Sequence, residues 1–172
     1  MIFYEIFSKK TNYYKLNMIL NFMQDIIKKI GNVDFEITFD CNLRCLHCYN
    51  ENHEIKDELP LEKIFNIIDQ VSYLGFKEIH INGGEPLKHP NAVEILGYCN
   101  NKELETLLET NATLLSPEMV SELSDLKHLK IRASIDGSEK VHNSIRRSTR
   151  LENPYKTAID NLAYVKSNNI PV

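Results

Sequence analysis

The chain has 172 residues, 42% of them apolar and 26% charged, with a formal net charge of -4. That length and apolar content suffice for one globular domain with a substantial core, while the mild negative charge gives no electrostatic case for nucleic acid or an anionic membrane surface as partner. No apolar run approaches the roughly 18 residues that a bilayer span requires, and Glu5 stands where a secretory leader would carry lysines; a cytoplasmic, reducing location is expected, where clustered cysteines are metal ligands or catalytic groups more often than disulfides.

In chain order, Leu16, Ile19, Leu20, Met23, Ile26, Ile27 and Ile30 recur at helical spacing, with Lys28 and Lys29 in the last turn and Gly31 beyond. This predicts an amphipathic helix with a C-terminal stop. It lies in an N-terminal extension over 1–33, ahead of a main domain over 34–172. Phe35, Ile37 and Phe39 alternate with Glu36 and Thr38, a strand pattern running into Cys41. After a polar stretch at 50–58, Pro60 opens a helix striped by Leu61, Ile64, Phe65, Ile68, Val71 and Leu74, and Gly75 closes it.

The unit then recurs. Glu78–Asn82 reads as a short strand ending at Gly83-Gly84-Glu85-Pro86, with a helix from about Pro90 that uses Ala92, Val93, Leu96 and Cys99. Leu104–Thr110 is the next strand, and Ser116-Pro117 is an N-cap and first-turn proline for a helix to about Leu126. Leu129–Ile135 is a fourth strand, ending at Asp136-Gly137. Asn153-Pro154 repeats the cap before a helix lined by Tyr155, Ala158, Ile159, Leu162 and Val165, and Ile170-Pro171-Val172 reads as the opening of a fifth strand.

Strand, loop and helix in regular succession predict an α/β fold with a parallel sheet and right-handed crossovers, as a barrel or barrel fragment. In such a fold the chemistry sits in loops at the C-terminal strand ends. The unusual residues all occupy that position: the cysteines after the first strand, Gly83–Pro86 after the second, Asn111 after the third, Ser134 and Asp136 at the fourth.

Three of the four cysteines, Cys41, Cys45 and Cys48, fall in one C-x₃-C-x₂-C loop. Three thiolates so placed can hold three corners of a [4Fe–4S] cube and leave one iron open to an outside ligand. Cys99, on a helix among apolar neighbours, reads as core. The rival is a zinc site of Cys41, Cys45, Cys48 and His47, disfavoured because adjacent His47 and Cys48 cannot easily aim at one tetrahedral centre. In Gly83-Gly84-Glu85-Pro86, the glycines permit close backbone approach to a ligand or positive φ, Glu85 offers acceptors to an ammonium, and Pro86 fixes the exit.

The cysteine motif followed by Gly-Gly-Glu-Pro resembles the radical S-adenosylmethionine (radical SAM) enzymes over roughly residues 34–172, and the stretch Asp136–Arg147 resembles the branch of peptide-modifying and anaerobic sulfatase maturases. The resemblance implies a partial (βα)₆ TIM-like barrel with about four βα units here. It also implies a [4Fe–4S] cluster on Cys41, Cys45 and Cys48, and S-adenosyl-L-methionine cleaved to a 5′-deoxyadenosyl radical that abstracts hydrogen from a peptide or protein substrate. An external one-electron reductant of flavodoxin or ferredoxin type goes with that chemistry.

By the same resemblance, Gly83, Gly84, Glu85 and Pro86 bind the methionine amine, while Ser134 and Asp136 bond the ribose. Arg146, on one helix face with His142, pairs with the methionine carboxylate. Asn111 is a further candidate, although Ala112 stands where relatives commonly have glycine. His47 would meet adenine through its backbone; Tyr49 would pack near the cluster or cover the loop; Arg147 and Arg150 read as solvated surface. The resemblance further suggests a piece of a longer enzyme, with association through the exposed edge of the fourth strand. The alternatives are a non-catalytic iron–sulfur fragment or partner subunit of a split enzyme, and a zinc-binding structural module.

Overall fold

The computed structural model describes residues 18, 19, 21–50 and 58–172. The start of the expected first helix and most of the polar stretch at 50–58 lie outside these residues. Four parallel strands form the main sheet in the order β1-β3-β4-β5: β1 (Asn32–Thr38), β3 (Glu78–Gly83), β4 (Glu105–Thr110) and β5 (Leu129–Ala133). Sequential strands are neighbours because each returns through a helix, as the expected α/β barrel fragment requires.

The connecting helices are α2 (Leu61–Leu74), α3 (Ala92–Asn101), α4 (Pro117–Leu123) and α6 (Pro154–Ser167). Their ends follow local chemistry. Gly75 closes α2 at φ +93°, Ser116 caps α4 by accepting the Met119 N–H at 3.3 Å, and Asn153 caps α6 by accepting the Lys156 N–H. Ile64, Ile68, Ile95, Leu96, Val120, Leu123, Ala158 and Val165 pack on the sheet face formed by Phe35, Ile37, Ile79, Ile81, Leu108 and Ile131. Each of the Ile, Leu, Val and Phe side chains contributes roughly 1.5–3 kcal/mol by leaving water. Cys99 is fully buried within this core.

Several elements depart from expectation. Phe39 is exposed rather than inward, because β1 ends at Thr38 after an irregular register between Glu36 and Thr38. Helix α4 stops at Leu123, short of Leu126, whose N–H turns back to the Leu123 carbonyl. A 3₁₀ turn, Pro86–Lys88, follows the Gly-Gly-Glu turn. Of the first helix, α1 is described over 21–30, and its Phe22, Met23, Ile26 and Ile30 are exposed. Residues 170–172 form no strand; the Pro171 carbonyl accepts the Ile131 N–H at 2.8 Å, so the outer edge of β5 is met there by the chain itself.

One element had no sequence signal. β2 (Arg44–Cys45) pairs antiparallel with β6 (Arg146–Arg147), as a separate two-stranded ribbon. Helix α5 (Glu139–Ile145) ends just before it, so Arg146 leaves the helix and does not share a helical face with His142. The ribbon straps the cysteine loop to the far end of the sheet.

Candidate functional site

The site forms at the C-terminal ends of β1, β3, β4 and β5. At β3, a Cβ on Gly83 would lie 2.3 Å from the Thr38 carbonyl oxygen, and one on Gly84 would lie 2.5 Å from those of Phe39 and Asp40. The glycines are therefore required by the exit of β1, which they touch directly; Gly83 also sits at φ +143°. The Gly84 N–H donates to Thr38 O and the Glu85 N–H to Asp40 O, both at 2.8 Å. These bonds tie the Gly-Gly-Glu turn to the root of the cysteine loop. Lys88 reinforces the junction by pairing with Asp40 at 3.1 Å.

Glu85 is 1% exposed. Its Oε1 accepts the Thr110 hydroxyl at 2.7 Å and the Leu87 N–H at 3.2 Å, and its Oε2 accepts the Asn111 N–H at 2.8 Å. Burial nevertheless pushes its carboxyl up to about 7, against the pull of those bonds and of the Arg146 charge. A cation arriving here would relieve that penalty.

Cys41, Cys45 and Cys48 are half-buried on a loop anchored by Leu43, which is 1% exposed. The Leu43 N–H donates to Cys41 Sγ at 3.4 Å, and the Arg44 guanidinium donates to the carbonyls of Cys41 and Leu43. The Asn42 amide donates to Thr113 Oγ1 at 2.7 Å and accepts from Asn111 Nδ2 at 2.9 Å. Asn111 is thus a clasp between β4 and the cysteine loop. Ala112 beside it takes φ +62°, the conformation that glycine would favour.

Burial pushes the Cys41 thiol up to about 11, and raises that of Cys45 against the Arg146 charge. Such thiols favour the anion only beside a positive centre. Three thiols on one loop make an all-sulfur donor set, the kind that holds an iron–sulfur cluster.

All three cysteines line a cavity of about 300 Å³, together with Gly83, Gly84, Glu85, Asn111, Ser134, Arg146, His47 and Tyr49. Ser134 is held by its N–H on the Thr110 carbonyl at 2.9 Å. Tyr49 is exposed and donates its hydroxyl to Glu36. Pro86 and Asp136 do not line the cavity. Pro86 opens the 3₁₀ turn, and Asp136 faces Arg146, whose Nε and Nη2 donate to its two oxygens at 2.7 and 3.3 Å. That bidentate pair holds the Asp136 carboxyl below its ordinary value.

Asn82 and Glu109 also line the cavity and were missed from the sequence. Strand alternation carries the signal, since both lie on the sheet face opposite the core. The buried Asn82 Oδ1 has no hydrogen-bond partner among the described residues. It is an acceptor available to a ligand.

The sequence model of the Radical SAM superfamily matches residues 35–172. The chain is similar to the AdoMet-dependent heme synthase of Methanosarcina barkeri, 34% identical over 117 residues, covering 66% of this chain and 34% of that protein. It is also similar to the antilisterial bacteriocin subtilosin biosynthesis protein AlbA of Bacillus subtilis, 36% identical over 115 residues, covering 65% and 26%. Its fold is like that of Streptococcus suis SuiB bound to precursor peptide SuiA, with a TM-score of 0.73 at 21% identity over 81% of this chain and 31% of that one. The chain spans about a third of the length of the curated relatives it matches.

Proposed function

The chain belongs to the Radical SAM superfamily, and from that premise we propose that it is the core of an enzyme that binds a [4Fe–4S] cluster and S-adenosylmethionine to start radical chemistry on a peptide or protein. The observation that carries the reading is the convergence of three cysteines and the Gly83-Gly84-Glu85 turn on one cavity of about 300 Å³. Cys41, Cys45 and Cys48 would hold the cluster and leave one iron for the methionine moiety. When bound, the pair supplies an electron from the cluster and, by cleavage of the sulfonium, a 5′-deoxyadenosyl radical that takes hydrogen from substrate.

The chain's own residues bind and orient. Glu85, fully buried, accepts the methionine ammonium, whose charge offsets the burial that raises its carboxyl. Gly83, Gly84 and Pro86 shape the turn that presents it. Ser134, on the cavity wall, takes a ribose hydroxyl. Asn111 and the Asp136–Arg146 pair hold the surrounding loops through the bonds described above. A flavodoxin- or ferredoxin-type protein delivers the electron.

Similarity to a bacteriocin biosynthesis protein supports a peptide substrate. A second reading, a tetrapyrrole substrate, is favoured by the similarity to a heme synthase. Anaerobic reconstitution with iron and sulfide, reduction, and an assay of 5′-deoxyadenosine after adding S-adenosylmethionine test the core reading. We expect product from the native chain and none from Cys45→Ala. Absence of any cluster in the native chain sinks the proposal; a cluster without 5′-deoxyadenosine leaves a non-catalytic iron–sulfur protein. Stimulation of cofactor cleavage by peptide or by porphyrin separates the two substrate classes.

A further inference from the structure

Arg146 is placed to act on a cysteine ligand. In the β2–β6 ribbon its register partner is Cys45, and residues directly opposite in an antiparallel pair project to the same side with Cβ atoms about 4.5–5.5 Å apart. Both side chains line the same cavity. The neighbouring Leu46 N–H donates to the Ile145 carbonyl at 2.9 Å, which locks that register.

The guanidinium is also aimed. Its Nε and Nη2 donate to Asp136, and its side chain is 15% exposed. Among the described residues, two of its five N–H donors are thereby used and three remain. Asp136 is fixed in turn, because its backbone N–H donates to Nδ1 of His142, which is fully buried. A line of contacts runs His142, Asp136, Arg146, Cys45. The ribbon's other arginines, Arg44 and Arg147, are turned to backbone carbonyls.

We propose that Arg146, oriented by Asp136, is a positioning residue that donates to the Cys45 sulfur and sets the reduction potential of the cluster held by the three cysteines. The inference rests on the functional reading above. One-electron reduction adds negative charge to a cluster, so a cation and hydrogen bond at a ligating sulfur favour the reduced form. Asp136 offsets part of that cation. The two residues therefore push the potential in opposite directions.

The test is a potentiometric titration followed by electron paramagnetic resonance on the reconstituted full chain without S-adenosylmethionine, with iron content measured alongside. Arg146→Gln is expected to shift the reduced-to-oxidised ratio about tenfold against reduction, about 59 mV downward for one electron. Asp136→Asn is expected to shift it about threefold the other way, about 30 mV upward, and Arg146→Lys to recover part of the loss. Potentials that stay put at full iron content, or that move in one direction in both variants, overturn the role while the functional reading stands. Should Arg146→Gln fail to hold a cluster, the sign of the Asp136→Asn shift decides. A native chain that forms no [4Fe–4S] signal overturns both.

Discussion

The two faces of the parallel sheet are built from the same strands and share almost nothing else. Toward the helices stand Phe35, Ile37, Ile79, Ile81, Leu108, Leu129 and Ile131, all buried. On the other face the alternate positions carry Asp34, Glu36, Glu78, His80, Asn82, Glu109 and Arg132, with Leu107 the apolar exception. There His80 bonds Asp34 at 2.9 Å and Glu78 at 2.8 Å, and Glu109 pairs with Arg132. One face supplies the free energy of folding through burial. The other is polar up to the rim where the cysteines and Glu85 sit, so chemistry can be housed there at little cost to the core.

The two kinds of cysteine give the largest contrast. Cys41→Ala or Cys48→Ala is expected to remove the visible absorbance of a reconstituted cluster completely, whereas Cys99→Ala should keep it and lower only stability. Retention of the full iron content by either loop variant would break the division between core and rim. Next in size, Ile79→Ala should cost about 3–4 kcal/mol in urea unfolding, against less than about 1 kcal/mol for Arg132→Ala in its solvent-exposed pair. Comparable losses would mean that the polar face contributes to stability as much as the apolar one.

Glu85 joins the two regimes, being both buried and part of the site. Its folded-state carboxyl lies at about 7, raised from 4.5. Between those values the unfolded chain ionises first, so stability contributed by the neutral form is complete below about 4.5 and is lost as pH rises through about 7. The total is up to about 3 kcal/mol. Unfolding of the native chain minus that of Glu85→Gln, compared at pH 5 and pH 8, should show this fall; a flat difference removes the argument that burial dominates the carboxylate. Gly84→Ala is expected to lower stability by about 2 kcal/mol through its clash with the Phe39 and Asp40 carbonyls. Unchanged thermal unfolding would show that the β1 exit can move aside.

Much of the fold was legible because it rests on local periodicity. The stripes of α2 and the alternation of β1 report which face is buried, and Gly75, Ser116 and Asn153 mark helix ends by backbone chemistry that needs no partner. The cysteine spacing and the Gly83-Gly84-Glu85 turn were legible for a similar reason. The reason for the glycines was not, since it depends on Thr38, Phe39 and Asp40 in another strand. The β2–β6 ribbon was invisible: two-residue strands have no period, and their partners are about a hundred residues apart. For that reason His142 and Arg146 read as one helix face, when pairing with Cys45 draws Arg146 out of the helix.

By itself, then, the sequence determined the α/β repeat, the buried stripe of each element and the side chains available at the strand ends, because these follow from spacing and local backbone preference. Tertiary structure alone decided that Asp136 faces Arg146 rather than the cavity, that Asn111 clasps the cysteine loop through Asn42, and that Asn82 and Glu109 join the cavity wall. Those are long-range polar contacts, whose directions are set only when the strands have been brought side by side.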